Sequence, residues 1–358
     1  MYVVKHEPED FVVEEIGGTG FKEHGRFLIV KVTKRLRNTE DAAQILSRGL
    51  RIPRKDVGYA GAKDRNAVTT QRFSLKNVTA ERLVAAAFGD LVVEPLGYLD
   101  EPLGLGALEG NRFTIVVRNL EGGEDLALPV SVPNYYDEQR FGSGNAAIGE
   151  ALLRKRFADA LALIVASTPR EAARVSEYED GHPGDAVGAL LRLPRQLLRM
   201  YLHSYQSLLW NRGLAEYVRT AAKDTSVVPY SQGEFLFPER TASIPDASIP
   251  IPGFGFSGND YTATGGTEKN GNENALHDRL IERILEQEDL APRDFVIRQL
   301  PNLSLEGGNR DALIAVKDFS VSAFADDDRF PGKKRATLRF SLPKGSYATV
   351  VVKAIMGR

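Results

Sequence analysis

The stretch Val57–Leu75, VGYAGAKDRNAVTTQRFSL, sets a short apolar run against a second strand-like run across a tight, charged turn. Val57–Ala60 and Thr69–Leu75 have strand composition, and Gly58 and Gly61 punctuate the passage between them. Lys63, Asp64 and Arg65 crowd three charges into that passage. An aspartate flanked by two cations is favoured in its ionised form. A carboxylate kept ionised on a tight turn is equipped to act as a nucleophile or a general base. The same triplet is also common in plain solvated loops, so spacing by itself leaves both readings open.

Outward from this turn, strands and helices alternate. Asp10–Ile16 (DFVVEEI) and Arg26–Lys34 (RFLIVKVTK) read as strands. Asn38, Thr39, Glu40 and Asp41 offer N-cap and first-turn residues for a helix reaching Leu50, with Pro53 beyond its end. Ala80–Phe88 reads as helix, and Leu91–Tyr98 and Asn111–Arg118 as strands. This mixed order predicts an α+β layered domain. Composition shifts after Gly142: Asn145–Ser167 is Ala/Leu-rich and helical, and Pro194–Val218 is a long helical stretch carrying the single Trp, Trp210. Ser257–Asn274 is polar and Gly-rich, as in a mobile loop, and Asn274–Glu288 returns to helix. Ala336–Leu342 (ATLRFSL) alternates as a strand, placed to rejoin the first sheet after a helix-rich insertion.

The chain has 358 residues, 42% hydrophobic and 26% charged, which fits a globular protein of about two domains. Its net charge of -2 hides an asymmetry. Lys22–Arg72 holds 13 Lys/Arg against 5 Asp/Glu, a local +8 that leaves -10 for the remainder. The cations include Lys31, Lys34, Arg35, Arg37, Arg48, Arg51, Arg54, Lys55, Lys63 and Arg65, a distribution suited to a polyanionic partner. Cysteine is absent, which excludes disulfides, thiolate metal sites and cysteine nucleophiles. The five histidines show no metal-ligand spacing, and His203 reads as a packing residue on a helix. No apolar run reaches the roughly 18–20 residues of a membrane span, and the N-terminus lacks a signal-peptide core, so a cytoplasmic location is expected.

Other segments carry the residue types of nucleotide recognition. Pro133–Gly142 (PNYYDEQRFG) offers aromatics for stacking, the Asn134 amide for a base edge and Arg140 for phosphate. Leu342–Thr349 (LPKGSYAT) sets Lys344 and Tyr347 around a Gly turn. Gly142–Ala147 matches a loose dinucleotide fingerprint but follows a polar run rather than a buried strand, so it reads as a turn and N-cap.

Taken together these segments resemble the TruD family of tRNA pseudouridine synthases. Lys5–Glu15 is similar to its K-x-x-P-E-D-F block, Gly61–Gln71 to its G-x-K-D-x-x-A-V-T-x-Q signature, and Asn134–Gly142 to N-Y-F-G-x-Q-R-F-G. Leu105–Asn111 and Leu342–Thr349 complete the ordered set. The resemblance implies isomerisation of uridine to pseudouridine at uridine 13 in the tRNA D arm, without cofactor or metal and with base flipping. It carries the catalytic aspartate onto Asp64, the N-terminal lysine onto Lys5, and substrate-binding positions onto Phe11, Asn134 and Tyr347. Lys63, Arg65 and Arg140 are the accompanying candidates for the RNA backbone. The implied fold is a circularly permuted pseudouridine synthase catalytic domain, a mixed β-sheet flanked by helices, at 1–152 plus 315–358. A helix-rich α/β TRUD domain is inserted at 153–314. The sequence leaves the oligomeric state open. Two departures from the pattern stand out. Asp137 replaces a Gly, which suggests a left-handed backbone and an added negative charge near RNA, and Asp100–Leu105 lacks basic residues that relatives carry. A non-catalytic RNA-binding scaffold and a metal-free enzyme acting on small nucleosides are the competing readings; the intact Lys63-Asp64-Arg65 triplet opposes the first and the basic segment opposes the second.

Overall fold

The structure is a computed structural model that describes residues 1–18, 20–255 and 271–357, with side chains throughout these except 170 and 271–278. The chain divides into two compact units, Met1–Leu128 with Ala315–Ala348, and Pro129–Ile314 with Thr349–Arg358.

The first unit is built from β1 (Phe11–Ile16), β2 (Phe27–Arg35), α1 (Thr39–Gly49), β3 (Val57–Tyr59), β4 (Val68–Lys76), α2 (Ala80–Val84), β5 (Val92–Leu99) and β6 (Gly110–Leu120). The expected strands form because their β-branched and aromatic residues alternate with polar ones on a pleated surface. Asn38 caps α1 as expected, its Oδ1 accepting from the Asp41 N–H at 2.8 Å. The helix expected over Ala80–Phe88 stops at Val84, with Ala85 as its C-cap.

The second unit carries α3 (Asn145–Leu153), α4 (Phe157–Ser167), α5 (Pro169–Glu179), α6 (Ala186–Leu191), α7 (Arg195–Ala221), β7 (Thr225–Tyr230), β8 (Gly233–Pro238), β9 (Ser248–Ile251), α8 (Gly271–Gln287) and β10 (Gly308–Asp311). The helical stretch at 145–167 is two helices, broken where Lys155 adopts a positive φ of 61°. The 27-residue α7 packs against α3 and α8, with Leu202, Leu209, Trp210 and Leu214 fully buried. Of the stretch expected as a loop, 257–270 lies outside the described residues, and from Gly271 the chain is already helical.

After Ile314 the chain supplies the first unit with β11 (Lys317–Val321), β12 (Ala325–Asp326) and β13 (Lys334–Pro343); α9 (Ala348–Met356) follows and from Thr349 belongs to the second unit. Among the described residues the first unit's sheet has nine strands in the order β11-β13-β6-β1-β4-β2-β5, with β12 on β13 and β3 on β4. β13 is not an edge addition, for it pairs antiparallel along β6 from Lys334↔Leu120 to Pro343↔Gly110. At that last pair a Cβ on Gly110 would stand 2.2 Å from the Leu342 carbonyl oxygen, so the Gly before Asn111 is a packing requirement. Every pairing in this sheet is antiparallel except β1 with β4, where Val12 faces Val68 and Glu14 faces Thr70.

Candidate active site

The parallel β1/β4 pairing determines where the candidate residues Lys5 and Asp64 meet. Parallel neighbours begin at the same end of a sheet, so the segment entering β1 and the segment entering β4 arrive side by side. Lys5 lies in the first segment and Asp64 in the second. The Lys5 ammonium donates to Asp64 Oδ2 at 2.8 Å, with the carboxylate side chain 33% exposed and the lysine 18%. Lys5 adopts a left-handed backbone, φ 57°, a conformation that costs a non-glycine residue about 1–2 kcal/mol. Its Nζ also stands 4.0 Å over the Phe11 ring.

The remaining residues of the N-terminal block hold that lysine in place. Pro8 starts a short 3-10 turn, Pro8–Asp10, and Asp10 Oδ2 accepts from the Glu7 N–H at 3.0 Å. Asp10 is buried, and the Arg118 guanidinium donates to both its oxygens at 2.9–3.0 Å. The same arginine reaches Asp327 at 2.8 Å and Asp328 at 2.9 Å, and these hydrogen bonds raise its pKa. Phe11, expected to stack on substrate, is 2% exposed and packs edge-to-face on Phe113 with centroids 6.0 Å apart.

The Asp64 loop is pinned from several sides. Gln71 Nε2 donates to the Gly61 carbonyl at 3.0 Å, and the Lys63 N–H donates to Thr39 Oγ1 at 2.9 Å. Thr39 in turn donates to Gln71 Oε1 at 2.9 Å. Lys63, expected to face RNA, is turned inward: its side chain is 5% exposed and pairs at 3.0 Å with Glu15, which Arg72 also holds. Lys34 lies beneath the loop, its Nζ donating to the Arg37 carbonyl at 2.6 Å and to the Asp64 carbonyl at 3.2 Å. Arg65 is exposed. The Gly106 N–H donates to the Ala60 carbonyl at 2.7 Å, in a turn that needs the positive φ of 86° that glycine supplies. Lys344 Nζ donates to the Gly106 carbonyl at 3.0 Å. Four of the five sequence blocks therefore meet within the first unit, with Tyr347 half-buried three residues beyond Lys344.

Asn134 and Arg140 belong to the second unit. Asn134 is buried; its Nδ2 donates to the Asp311 carbonyl at 3.0 Å and its Oδ1 accepts from Arg310 at 2.7 Å. Arg310 also lies 4.1 Å over the Tyr136 ring. Sequence reading missed Arg310, since nothing local links it to a residue 176 positions away. Arg140 donates to Ser207 Oγ at 3.0 Å. Asp137 differs from expectation: its φ is -87°, and it is buried and bonded to Thr349 and Lys353 of α9, so it places no free negative charge on a surface. His203 is the packing histidine expected, with Nδ1 3.0 Å from Gln206 Oε1 and burial pushing its pKa down.

The basic segment also changes character. Among the described residues Lys22, Lys31, Arg35, Arg37, Arg54, Lys63 and Arg72 each form an ion pair with a carboxylate. Most of the local +8 is thus answered from outside the segment, by residues such as Glu9, Glu15, Asp90 and Glu94. Among the described residues no group of three or more His, Asp or Glu is arranged to hold a metal ion, and no helix is long and apolar enough to cross a membrane.

The fold is a mixed α+β sheet, and at the common entry of two of its strands stands the Lys5–Asp64 pair. The profile of the family described as tRNA pseudouridine synthase D (TruD) matches residues 2–180 and 170–355. The chain is 28% identical to the "Probable tRNA pseudouridine synthase D" of Methanosarcina mazei, over 99% of this chain and 92% of that protein. It is 30% identical to the tRNA pseudouridine synthase D of Syntrophotalea carbinolica, over 99% and 95%. A crystal structure of the Methanosarcina mazei TruD protein superposes with a TM-score of 0.67 at 26% identity, covering 99% of this chain and 93% of that one. The chain belongs to the TruD family and is a pseudouridine synthase, an isomerase.

Proposed function

We propose that this enzyme converts uridine 13 in the D arm of tRNA to pseudouridine in the cytoplasm, with Asp64 as the group that acts on the nucleotide. The single observation that supports this most is the Lys5–Asp64 pair at the common entry of β1 and β4. The reaction breaks the bond from C1′ to N1, turns the uracil, and joins C1′ to C5. The proton leaves C5 and N1 gains one, so the product is an isomer. A carboxylate at this place acts in one of two ways, by attack on C1′ or by removal of the C2′ proton. Lys5 pairs with the carboxylate that either route uses. The target base must leave the helical stack to reach it.

The other residues take graded roles in this reading. Arg65 is exposed beside Asp64 and meets the RNA backbone. Tyr347 stacks on the uracil or sugar. Phe11 works chiefly as the platform beneath Lys5. Asn134 reads the base edge by exchanging its bond to Arg310 for one to uracil. Arg140 supports the same segment, and Lys63 serves as an anchor of the Asp64 loop through Glu15. The division into a permuted catalytic domain at 1–152 plus 315–358 and an insert at 153–314 belongs to this proposal.

The test is tritium release from tRNA transcripts carrying C5-tritiated uridine. The wild type is expected to release tritium, and Asp64→Asn to lose at least about 10³-fold, the upper range for removing an acid–base or nucleophilic group. A transcript with cytidine at position 13 is expected to release none. Absence of release by the wild type from any cellular tRNA overturns the isomerase reading. Undiminished release from the cytidine-13 transcript moves the target elsewhere.

A further inference from the structure

Lys34 sits where a lysine is costly. In β2 it follows Leu28, Val30 and Val32 in the two-residue alternation that lines the core beneath α1. It is 1% exposed, so its ammonium is out of reach of bulk water. Two carbonyl oxygens take its protons: that of Arg37, just after β2, and that of Asp64 itself. Burial lowers its pKa to about 8, and the negative charge of Asp64 is the largest influence acting in the opposite direction. A buried cation is retained only where its compensation is specific. Here the Arg37 carbonyl and the Asp41 charge share in that compensation, and Asp64, already paired with Lys5, contributes to it twice, through its carbonyl and through its charge.

We propose that Lys34 is a positioning residue for the isomerisation: from inside the core its ammonium fixes the peptide carbonyl of Asp64, and so the direction of the carboxylate that Lys5 holds at the other end. This deepens the reading above and rests on it. The salt bridge to Lys5 holds the carboxylate, and the bonds at Gly61 and Lys63 hold the loop before it. The Lys34 ammonium adds an anchor on the carbonyl of Asp64 itself. The ammonium suits the task because its three donors span two loops, Leu36–Arg37 and Gly61–Ala67, that a single hydroxyl or amide would not bridge.

The experiment uses full-length enzyme and steady-state tritium release from a tRNA transcript. Lys34→Met keeps the apolar stem and removes the ammonium. Its kcat is expected to fall about 100-fold with KM within about twofold, as for misplacement of a reacting group without loss of binding. The chain has no cysteine, so Lys34→Cys can be alkylated uniquely in the unfolded state and refolded. Aminoethylation, which restores a lysine-like ammonium, is expected to recover most of kcat; carbamidomethylation, which restores bulk without charge, is not. A purely structural role predicts equal recovery from both and overturns the proposal, as does a folded Lys34→Met with wild-type kcat. A third readout needs no activity. The Tm loss of Lys34→Met with Asp64→Asn is expected to fall short of the sum of the single losses by about 2 °C or more, because coupled sites are not additive. Strict additivity means that Lys34 does not set the Asp64 carboxylate, and overturns the proposal. Sub-additivity with an inactive wild type keeps the Lys34–Asp64 link and discards the isomerase reading.

Discussion

At the scale of single residues, the site is built by lysines in positions that lysine does not ordinarily occupy. Lys5 holds a left-handed backbone while bonding Asp64 and capping the Phe11 ring. The backbone cost can be separated from the side-chain role. Lys5→Gly and Lys5→Ala both lose the ammonium, and both are expected to lose tritium release by at least about tenfold. Lys5→Gly is expected to be the more stable of the two by about 1 kcal/mol, because glycine takes φ 57° without the Cβ penalty. Chemical denaturation of the two variants measures this, and equal stability would mean that no strain is stored there. Lys34 makes a prediction about pH. Its pKa is about 8 in the folded chain against an ordinary 10.5, so the unfolded chain holds more protons between these values. Stability contributed through Lys34 therefore rises with pH across that window and is flat below it. The charges facing it are Asp64 and Asp41, which raise its pKa, and Lys63, which lowers it. The stability of wild type relative to Lys34→Met should move in favour of the wild type from about pH 8 to 10.5, by at most about 1.4 kcal/mol per unit. A difference that does not change with pH contradicts the buried-cation assignment. Asp64 stands out as a candidate from its charged, Gly-flanked turn. Lys34 left a signal that went unused: it stands two residues after Val32 on the apolar face of a strand, yet it was counted as a surface cation.

At the scale of elements, the parallel pairing of β1 with β4 in the first unit's sheet does what no local motif can. It brings the N-terminal block to the Asp64 loop, and Arg118 of β6 locks it there by clasping Asp10 on one side and Asp327 and Asp328 on the other. This arginine joins segments 108 and 209 residues apart in the chain. Arg118→Met is expected to destabilise the fold by about 3–5 kcal/mol, since it strands buried carboxylates without their cation. Lys5 depends on the same turn, so activity should fall more than stability alone explains. Equilibrium unfolding and tritium release on the surviving folded protein test both parts; a loss below about 1 kcal/mol would mean that the clasp is dispensable. Strands β1, β2, β4, β6 and β13 were readable because their alternation runs long enough to register. The short pairs β7/β8 and β9/β10 were not, having only four to six residues each. Nor was α9, whose Val350, Val351 and Val352 favour strand locally but are all buried in a helix. There tertiary packing overrides propensity.

At the scale of the whole molecule, the charge of the basic segment has to be recounted before it predicts RNA binding. Seven of its thirteen cations are ion-paired among the described residues, and Lys34 is spent on carbonyls. Arg26, Arg48, Arg51, Lys55 and Arg65 remain exposed, with no acid paired to them among the described residues. Each phosphate neutralised by such a group releases counterions and adds about 0.7–0.9 to the slope of log affinity against log salt. If the whole segment met RNA, the slope would approach -9 or steeper; with these five groups it should lie at about -3.5 to -4.5. The relevant measurement is tRNA binding by the Asp64→Asn variant between about 50 and 200 mM salt, repeated with Arg65→Ala. Arg65→Ala should make the slope shallower by about one and weaken binding to all tRNAs alike, as removal of a backbone contact does. A slope near -9 would show that RNA breaks the internal ion pairs on docking, for then Glu9, Glu40, Asp90 and Glu94 would act as counterions that tRNA displaces.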